Sequence, residues 1–172
     1  GKMLMKLGNR YVDRFIANAN VVADKMSELE SIERSKFEVI YNGVDLPVFD
    51  EKKVKPVTPE FAKFAEGKRV VSIAANLRPV KNIPLFIDAA ARVAKRFDDV
   101  VFALMGYGVL QAELEQQAAR CGIADRTLFL GSVPHVAPYV ARSHVACLSS
   151  HSEGFSNSVV EYMAPLANST PR

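Results

Sequence analysis

The sequence VACLSSHSEGFSNSVVEYMA, residues 145–164, combines an apolar strand, a glycine-containing turn and the start of a helix. Backbone N–H groups at a helix N-terminus lack partners within the helix, and the helix dipole adds partial positive charge there. Such a turn is able to hold an anionic ligand. Glu153 and Glu161 lie eight positions apart in it, and their carboxylates can accept hydrogen bonds from hydroxyl groups. The pattern therefore favours a ligand with both phosphates and hydroxyls, such as a sugar nucleotide.

The surrounding sequence alternates apolar strands with helices. Because strands that are apolar throughout are buried on both faces, they indicate a parallel sheet between two layers of helices. The predicted fold is therefore α/β, a doubly wound Rossmann-like parallel sheet with helices on both faces. The predicted strands are residues 69–75, 100–105, 127–130 and 145–148, and the predicted helices are residues 82–97, 110–121, 138–143 and 156–164.

The N-terminal part of the chain has a less regular pattern. Short strands are predicted at residues 11–16 and 37–41, on either side of a helix that Asn20 can cap. Residues 50–59 are charged and contain prolines, which predicts a surface loop or linker. Asn82 is predicted to cap the helix that follows the first strand of the main sheet.

Polar and glycine-rich segments follow the strands of the predicted sheet. Ligands of such sheets bind at the carboxyl ends of the strands, so these segments are predicted to form one site. The segments are residues 76–82, 106–108, 131–135 and 149–157.

Two of these segments have a structural alternative. Arg78 and Lys81 precede a helix, and their side chains suit diphosphate oxygens; the alternative is that both cations are merely solvated. Gly106 and Gly108 lack the third glycine of a dinucleotide fingerprint, and a tight turn between strand and helix explains them without a ligand.

The two glutamates have alternatives as well. Ser158-Val159-Val160-Glu161 fits a capping box, in which the Glu161 carboxylate would bind backbone rather than ligand. Glu153 precedes a glycine in a loop, and simple surface exposure is the alternative to ligand binding there.

Composition excludes several classes of protein. The 172 residues are 49% hydrophobic and 24% charged with a net charge of +3, so the chain can build a sizeable core and is not disordered. No apolar run approaches the roughly 20 residues of a membrane helix. The two cysteines and three histidines follow no spacing typical of metal or redox sites.

The block EGFSNSVVE resembles the E-x7-E motif of the group 1 (family 4) retaining glycosyltransferases. Four further pieces match that family in order and distance, and together the five are highly specific, whereas any one alone is not. They are YNGVD at 41–45, NLRPVKN at 76–82, MGYG at 105–108 and FLGSV at 129–133.

The resemblance implies roles for individual residues. By its place in the motif, Glu161 would hold the ribose, and Glu153 would lie beside the donor sugar and phosphate, which makes it the candidate catalytic residue. Lys81 matches the phosphate-binding lysine, and the family arginine stands where this chain has Asn76, so Arg78 is a candidate substitute. The remaining candidates for donor binding are the glycine loop residues Gly106 and Gly108, the base-contacting Val133, and Gly154, Phe155, Ser156 and Asn157 at the helix start.

The resemblance also implies how the chain is organised. The family has the GT-B architecture, in which two Rossmann-like domains face each other across a cleft. Residues 1–36 are expected to hold the end of the N-terminal domain and a linker helix. Residues 37–172 are expected to form the nucleotide-sugar-binding domain, truncated at its C-terminus because the family pattern continues past Ala164 with further elements.

The implied activity is transfer of a sugar from a nucleotide-diphosphate donor to a glycan or lipid-linked acceptor, in polysaccharide biosynthesis. No metal or other cofactor and no nucleic acid partner are expected. The expected location is the cytoplasm. Peripheral membrane contact of the full-length protein and association through an exposed sheet edge are further expectations. Three alternatives stay open: a nucleotide-binding fragment without activity, a GT-B relative with phosphorylase or epimerase chemistry, and a non-catalytic Rossmann-type module unrelated to sugars.

Overall fold

A computed structural model of the chain describes residues 8–43 and 45–167, which fall into two compact units. The first unit contains residues 8–43 together with Glu153–Asn157, and the second contains residues 45–152 and 158–167. The predicted domain boundary at residue 37 falls inside the first unit. The assignment of residues 1–36 to the end of another domain stays a prediction.

The first unit is a small parallel β-α-β arrangement. Strand β1 (Phe15–Ala17) pairs with β2 (Phe37–Val39), and helix α1 (Asn20–Glu30) connects them. Single 3-10 turns precede β1 and β2, at Asn9–Tyr11 and Arg34–Lys36. Both strands are therefore shorter than predicted.

Asn20 is not the cap of α1, contrary to the sequence-based prediction. It is the first residue of the helix, and the capping position is occupied by Ala19, whose side chain cannot accept a hydrogen bond. The Asn20 side-chain amide instead donates to the Tyr41 hydroxyl at 2.8 Å. A long-range partner has thus displaced the local one.

The second unit is a four-stranded parallel sheet with helices on both faces, which confirms the predicted fold class. Its strand order is β5-β4-β3-β6: the chain adds β4 and β5 on one side of β3 and then β6, also parallel, on the other. The boundary between β3 and β6 is therefore a topological switch point, where such sheets bind ligands. Its strands are β3 (Arg69–Ala74), β4 (Val100–Met105), β5 (Thr127–Gly131) and β6 (Val145–Cys147), and its helices are α2 (Leu46–Lys53), α3 (Pro59–Ala65), α4 (Ile83–Ala94), α5 (Gln111–Arg120), α6 (Ala137–Val140) and α7 (Asn157–Ala167), whose first residue the division assigns to the first unit.

Strand β4 lies at the centre of the core because all six of its residues are buried. Phe102 and Leu104 pack on one face against α4 and α5, while Ala103 and Met105 pack on the other with Phe61 of α3. Alternate side chains of a strand point to opposite faces, so a strand apolar at every position needs helices on both sides.

The prediction of a loop or linker over residues 50–59 is wrong for residues 50–53 and 59, which are helical, and holds for residues 54–58. Helix α2 runs through Lys53, and α3 begins at Pro59. Thr58 caps α3 by accepting a hydrogen bond from the Phe61 N–H at 3.4 Å, and the Phe61 ring is fully buried. The charged composition of the segment concealed two short helices, each of which buries one phenylalanine: Phe49 in α2 and Phe61 in α3.

Asn82 does not cap α4 through its side chain. Its backbone is left-handed, with φ of 47°, and it makes no side-chain capping hydrogen bond. Helix α4 ends at Ala94, short of the predicted end at Phe97. The Arg126 guanidinium donates to the Ala94 carbonyl at that end of the helix, at 2.9 Å, and to the Val100 carbonyl at the start of β4, at 3.0 Å.

Candidate functional site

The loops that leave β3 and β6 meet at the switch point of the sheet. The Ser149 hydroxyl donates to the Lys81 carbonyl at 2.8 Å, and the His151 N–H donates to the Val80 carbonyl at 2.9 Å. Leu77 anchors the first loop because its side chain is 99% buried. These contacts hold the backbone of the two loops together, with the Arg78 side chain exposed and that of Lys81 half-buried.

The glycine loop after β4 packs directly against the loop after β3. The Leu77 N–H donates to the Tyr107 carbonyl at 3.1 Å, and the Leu110 N–H donates to the Leu77 carbonyl at 3.3 Å. A Cβ on Gly106, whose φ is +131°, would overlap the Ala75 carbonyl oxygen. One on Gly108 would lie 2.8 Å from the Leu77 carbonyl carbon.

Both glycines therefore have a packing role, as the structural alternative proposed. Contact of Gly106 or Gly108 with a ligand stays a prediction. The loop after β5 joins the same rim, because the Gly106 N–H donates to the Gly131 carbonyl at 2.7 Å. Beyond it, the Val133 side chain packs against the apolar cluster around Phe61 and Met105.

Helix α7 docks on the end of β3 through two hydroxyls. Strand β6 pairs with β3 only as far as Ile73, so the polar backbone groups of Ala74 need other partners. The Ala74 N–H donates to the Tyr162 hydroxyl at 2.7 Å, and the Ser158 hydroxyl donates to the Ala74 carbonyl at 3.1 Å. Burial raises the pKa of Tyr162 to about 12.

This docking decides against the capping-box alternative for Glu161. Helix α7 begins at Asn157, so Ser158 lies within the helix, and its hydroxyl is bonded to Ala74 rather than to the helix N-terminus. The Glu161 side chain is half-buried in the second unit. Its role in ligand binding stays a prediction.

The segment Glu153–Asn157 groups with the first unit. The ring of Phe155 lies 5.9 Å from that of Tyr41, measured between centroids. The Asn42 side-chain amide donates to the Asn157 side-chain oxygen at 2.9 Å. The Glu153 side chain is half-buried, and Gly154 and Asn157 are exposed.

No cluster of three or more histidine, cysteine or acidic side chains able to hold a metal occurs among the described residues. Within the same residues, no helix is long and apolar enough to cross a membrane. The two cysteines are free thiols, each half-buried, and burial raises the pKa of Cys147.

A family model described as "Glycosyl transferases group 1" matches residues 54–165, which is most of the second unit. The chain belongs to the group 1 glycosyltransferase family. The resemblance predicted from the E-x7-E block and its four companion pieces is thereby confirmed.

Individual members of the family agree with this assignment. The chain is 31% identical to a D-inositol 3-phosphate glycosyltransferase of Kribbella flavida over 88% of its own length, and 29% identical to the Vi polysaccharide biosynthesis protein VipC/TviE of Salmonella typhi over 86%. It spans only 38% and 26% of those two proteins. The crystal structure of Anabaena Alr3699/HepE in complex with UDP-glucose matches 92% of this chain and 44% of that one, with a TM-score of 0.77 and 25% identity.

The structure distributes the predicted site residues over both units. The second unit holds Arg78, Lys81, Gly106, Gly108, Val133 and Glu161, and the first unit holds Glu153, Gly154, Phe155, Ser156 and Asn157.

Sequence reasoning missed the side chains that hold these segments in place. They are Tyr162, Ser149 and Asn42, and each acts across at least 68 residues of sequence. No local pattern could have revealed such contacts, although YNGVD did single out the segment that contains Asn42.

Proposed function

We propose that this chain is the donor-binding part of a retaining glycosyltransferase that uses a nucleotide-diphosphate sugar. The full-length protein would transfer the sugar to a hydroxyl of a glycan or lipid-linked acceptor. The observation that supports this most is the switch point between β3 and β6, where the loop carrying Arg78 and Lys81 is bonded to the loop that follows β6. Membership of the group 1 family adds the chemistry to that geometry.

The proposed chemistry consists of positioning the donor and neutralising the departing diphosphate. Lys81 and Arg78 supply positive charge next to phosphate oxygens, where charged hydrogen bonds are strongest. Glu161 accepts hydrogen bonds from the ribose hydroxyls, and the backbone at Val133 meets the base. Held in the correct orientation, the donor needs no further activation by a metal ion in this proposal.

The segment 153–157 would contribute the residues next to the sugar. Glu153 lies beside the donor sugar and its phosphate, and the backbone of 154–157 at the start of α7 supplies N–H donors to hydroxyl and phosphate oxygens. Neither this carboxylate nor that of Glu161 has to act as a general base, because the developing charge is on the diphosphate.

Nucleotide binding tests the proposal directly. Titration calorimetry with UDP, GDP and ADP is expected to detect one nucleoside diphosphate that the chain binds in preference to the others. The UDP-glucose complex of the Anabaena relative makes UDP the first probe. A folded sample that binds none of the three would favour a non-catalytic module instead.

Charge-removing variants test the assigned roles. Lys81→Ala is expected to weaken binding by a factor of about 10 to 150, since a charged hydrogen bond contributes about 1.5–3 kcal/mol. Arg78→Ala is expected to weaken binding as well, and unchanged affinity would show that Arg78 does not replace the family arginine. Lys63→Ala, on the exposed face of α3, is the matched control and should bind like the wild type.

Catalysis requires a separate experiment, because the chain spans less than half of the relatives compared. We propose that this polypeptide alone binds the donor without turning it over. Donor hydrolysis by the full-length protein, assayed with and without inorganic phosphate, would distinguish a transferase from a phosphorylase. The proposed location is the cytoplasm, where the full-length protein would meet its nucleotide sugar.

A further inference from the structure

We infer that Tyr41 and Asn42 are positioning residues for the donor sugar, because they fix the segment Glu153–Asn157 on the first unit. The inference rests on the proposed function for the meaning of that segment. It assigns a role to two residues that lie more than 100 positions away in sequence from the residues they hold.

Asn42 holds one end of the segment by a side-chain hydrogen bond. Its amide nitrogen donates to the Asn157 side-chain oxygen at 2.9 Å, across 115 residues of sequence. Asn157 is also the first residue of α7. The bond therefore fixes the point at which the loop becomes a helix, where the N–H groups lack partners within the helix.

Tyr41 holds the middle of the segment by a ring contact. Its ring lies at 48° to that of Phe155, with the centroids 5.9 Å apart, which is within the range of favourable aromatic pairs. The Tyr41 hydroxyl accepts a hydrogen bond from Asn20 at 2.8 Å. The side chain is thus held at both ends, by the ring of Phe155 and by Asn20.

The support for Tyr41 continues into α1 and the turn before β2. The Asn20 side-chain oxygen accepts a hydrogen bond from Arg34 at 3.0 Å, and Arg34 is paired with Asp24 at 2.6 Å. Four side chains are thereby connected in series behind the ring contact. A charged pair at the end of the series orients Asn20, so that its amide nitrogen faces Tyr41.

Gly154 is a third point at which the segment is in close contact with the rest of the first unit. A Cβ at this position would lie 2.5 Å from Val22 Cγ2 and 3.3 Å from the Asn18 side-chain oxygen. The backbone at Gly154 is therefore in close contact with Val22 of α1 and with Asn18, two residues before that helix. Three of the five residues of the segment are held in this way, and Glu153 directly precedes them.

These contacts bear on position rather than on stability. Tyr41 is 56% exposed, and Asn42 and Asn157 are exposed as well, so the pairs add little to the folding free energy. Their loss should leave the first unit folded while allowing the segment to move. A donor sugar that depends on the segment would then bind less tightly, whereas UDP, which would meet the segment only through its phosphates and is held mainly by Arg78, Lys81 and Glu161 in the proposed function, would lose less.

Binding of UDP and UDP-glucose to single variants tests the inference. Asn42→Ala and Tyr41→Ala are each expected to weaken UDP-glucose about fivefold and UDP less than twofold. Tyr41→Phe keeps the ring contact and loses only the hydrogen bond from Asn20, so its loss of UDP-glucose affinity should be smaller than that of Tyr41→Ala. Equal loss of both ligands, or loss of neither, would overturn the inference. Ser35→Ala, an exposed substitution in the turn before β2, is the control for unrelated effects in the first unit.

Nuclear magnetic resonance provides a second test that needs no ligand. The wild type should show nuclear Overhauser contacts between the rings of Tyr41 and Phe155, and backbone order parameters of about 0.85 for residues 154–157. In Asn42→Ala those order parameters are expected to fall below about 0.6, with no change in Ser35→Ala. If the wild type binds neither ligand, the proposed function fails, while this second test still decides whether Asn42 and Tyr41 hold the segment. Unchanged order parameters would contradict the inference.

Discussion

Two glycines determine how closely the loops at the ligand-binding end of the sheet can approach each other. Gly106 and Gly108 bring the loop after β4 into backbone contact with residues 75–77, and the hydrogen bonds of Leu77 depend on that approach. A side chain at either position would push the loops apart. In this family member, the glycine loop therefore shapes the site through its packing, whatever it does toward a ligand.

Gly106→Ala is expected to destabilise the chain by about 3 kcal/mol, because the new methyl group overlaps the Ala75 carbonyl oxygen and the backbone φ of +131° is strained for alanine. Urea denaturation followed by circular dichroism measures the loss. Gly122→Ala is the matched control, since φ there is +71° but no atom lies within 4 Å of the added Cβ. It should cost only about 1 kcal/mol. Equal costs for the two variants would show that the close approach contributes nothing.

At the scale of single elements, the sequence predicts a strand correctly where every residue is buried, and it misses short helices that bury only one large side chain. Strand β4 has the predicted bounds because each of its six residues is apolar and buried. Helices α2 and α3 were missed because each is short, with eight and seven residues, and each buries a single phenylalanine. The signal for α3 was nevertheless present in Thr58-Pro59, a capping residue followed by a proline at the first helical position.

The candidate site likewise has parts that the sequence predicts and parts that it does not. The loops at the carboxyl ends of the strands could be predicted, because a parallel sheet places them at one edge whatever their sequence. The partners of Ala74 and of Asn157 could not be predicted, because Tyr162 and Asn42 reach them from 88 and 115 residues away. Likewise the S-x-x-E pattern at Ser158 is matched by sequence and not used as a cap.

Docking of α7 through Tyr162 predicts a loss of stability at high pH. Burial raises the pKa of the Tyr162 hydroxyl to about 12, against roughly 10 in an unfolded chain. Below pH 10 the group is protonated in both states, and its contribution is complete. Between about pH 10 and 12 the unfolded chain releases the proton first, so the free energy of unfolding falls by about 2–3 kcal/mol as the pH rises.

Urea denaturation at several values of pH between 9 and 12 measures this dependence. Tyr162→Phe should be less stable at neutral pH, since the Ala74 N–H loses its acceptor, but its stability should decline less steeply above pH 10. Tyr107→Phe changes a tyrosine that is 66% exposed, and it should keep the decline of the wild type. A Tyr162→Phe protein with the same decline as the wild type would rule out this origin.

At the scale of the whole molecule, the two units differ in the core that each can bury. Among the described residues of the first unit, those that are apolar and buried are three alanines and one isoleucine, Ala17, Ala19, Ala23 and Ile32. The second unit buries phenylalanine, leucine and isoleucine side chains on both faces of its sheet. Because stabilisation scales with the apolar area removed from water, the first unit should open at much lower free energy than the second.

Hydrogen exchange in increasing urea should therefore resolve two openings. Backbone amides of α1 are expected to exchange with an opening free energy at least about 2 kcal/mol below that of amides in β4. Two variants separate the units. Ile32→Ala should lower the value for α1 and leave β4 unchanged, whereas Ile87→Ala, at a fully buried position of α4, should lower the value for β4 by about 2–5 kcal/mol. A single opening shared by both helix and strand would mean that the chain unfolds as one unit, and that the small core of the first unit is not what limits its stability.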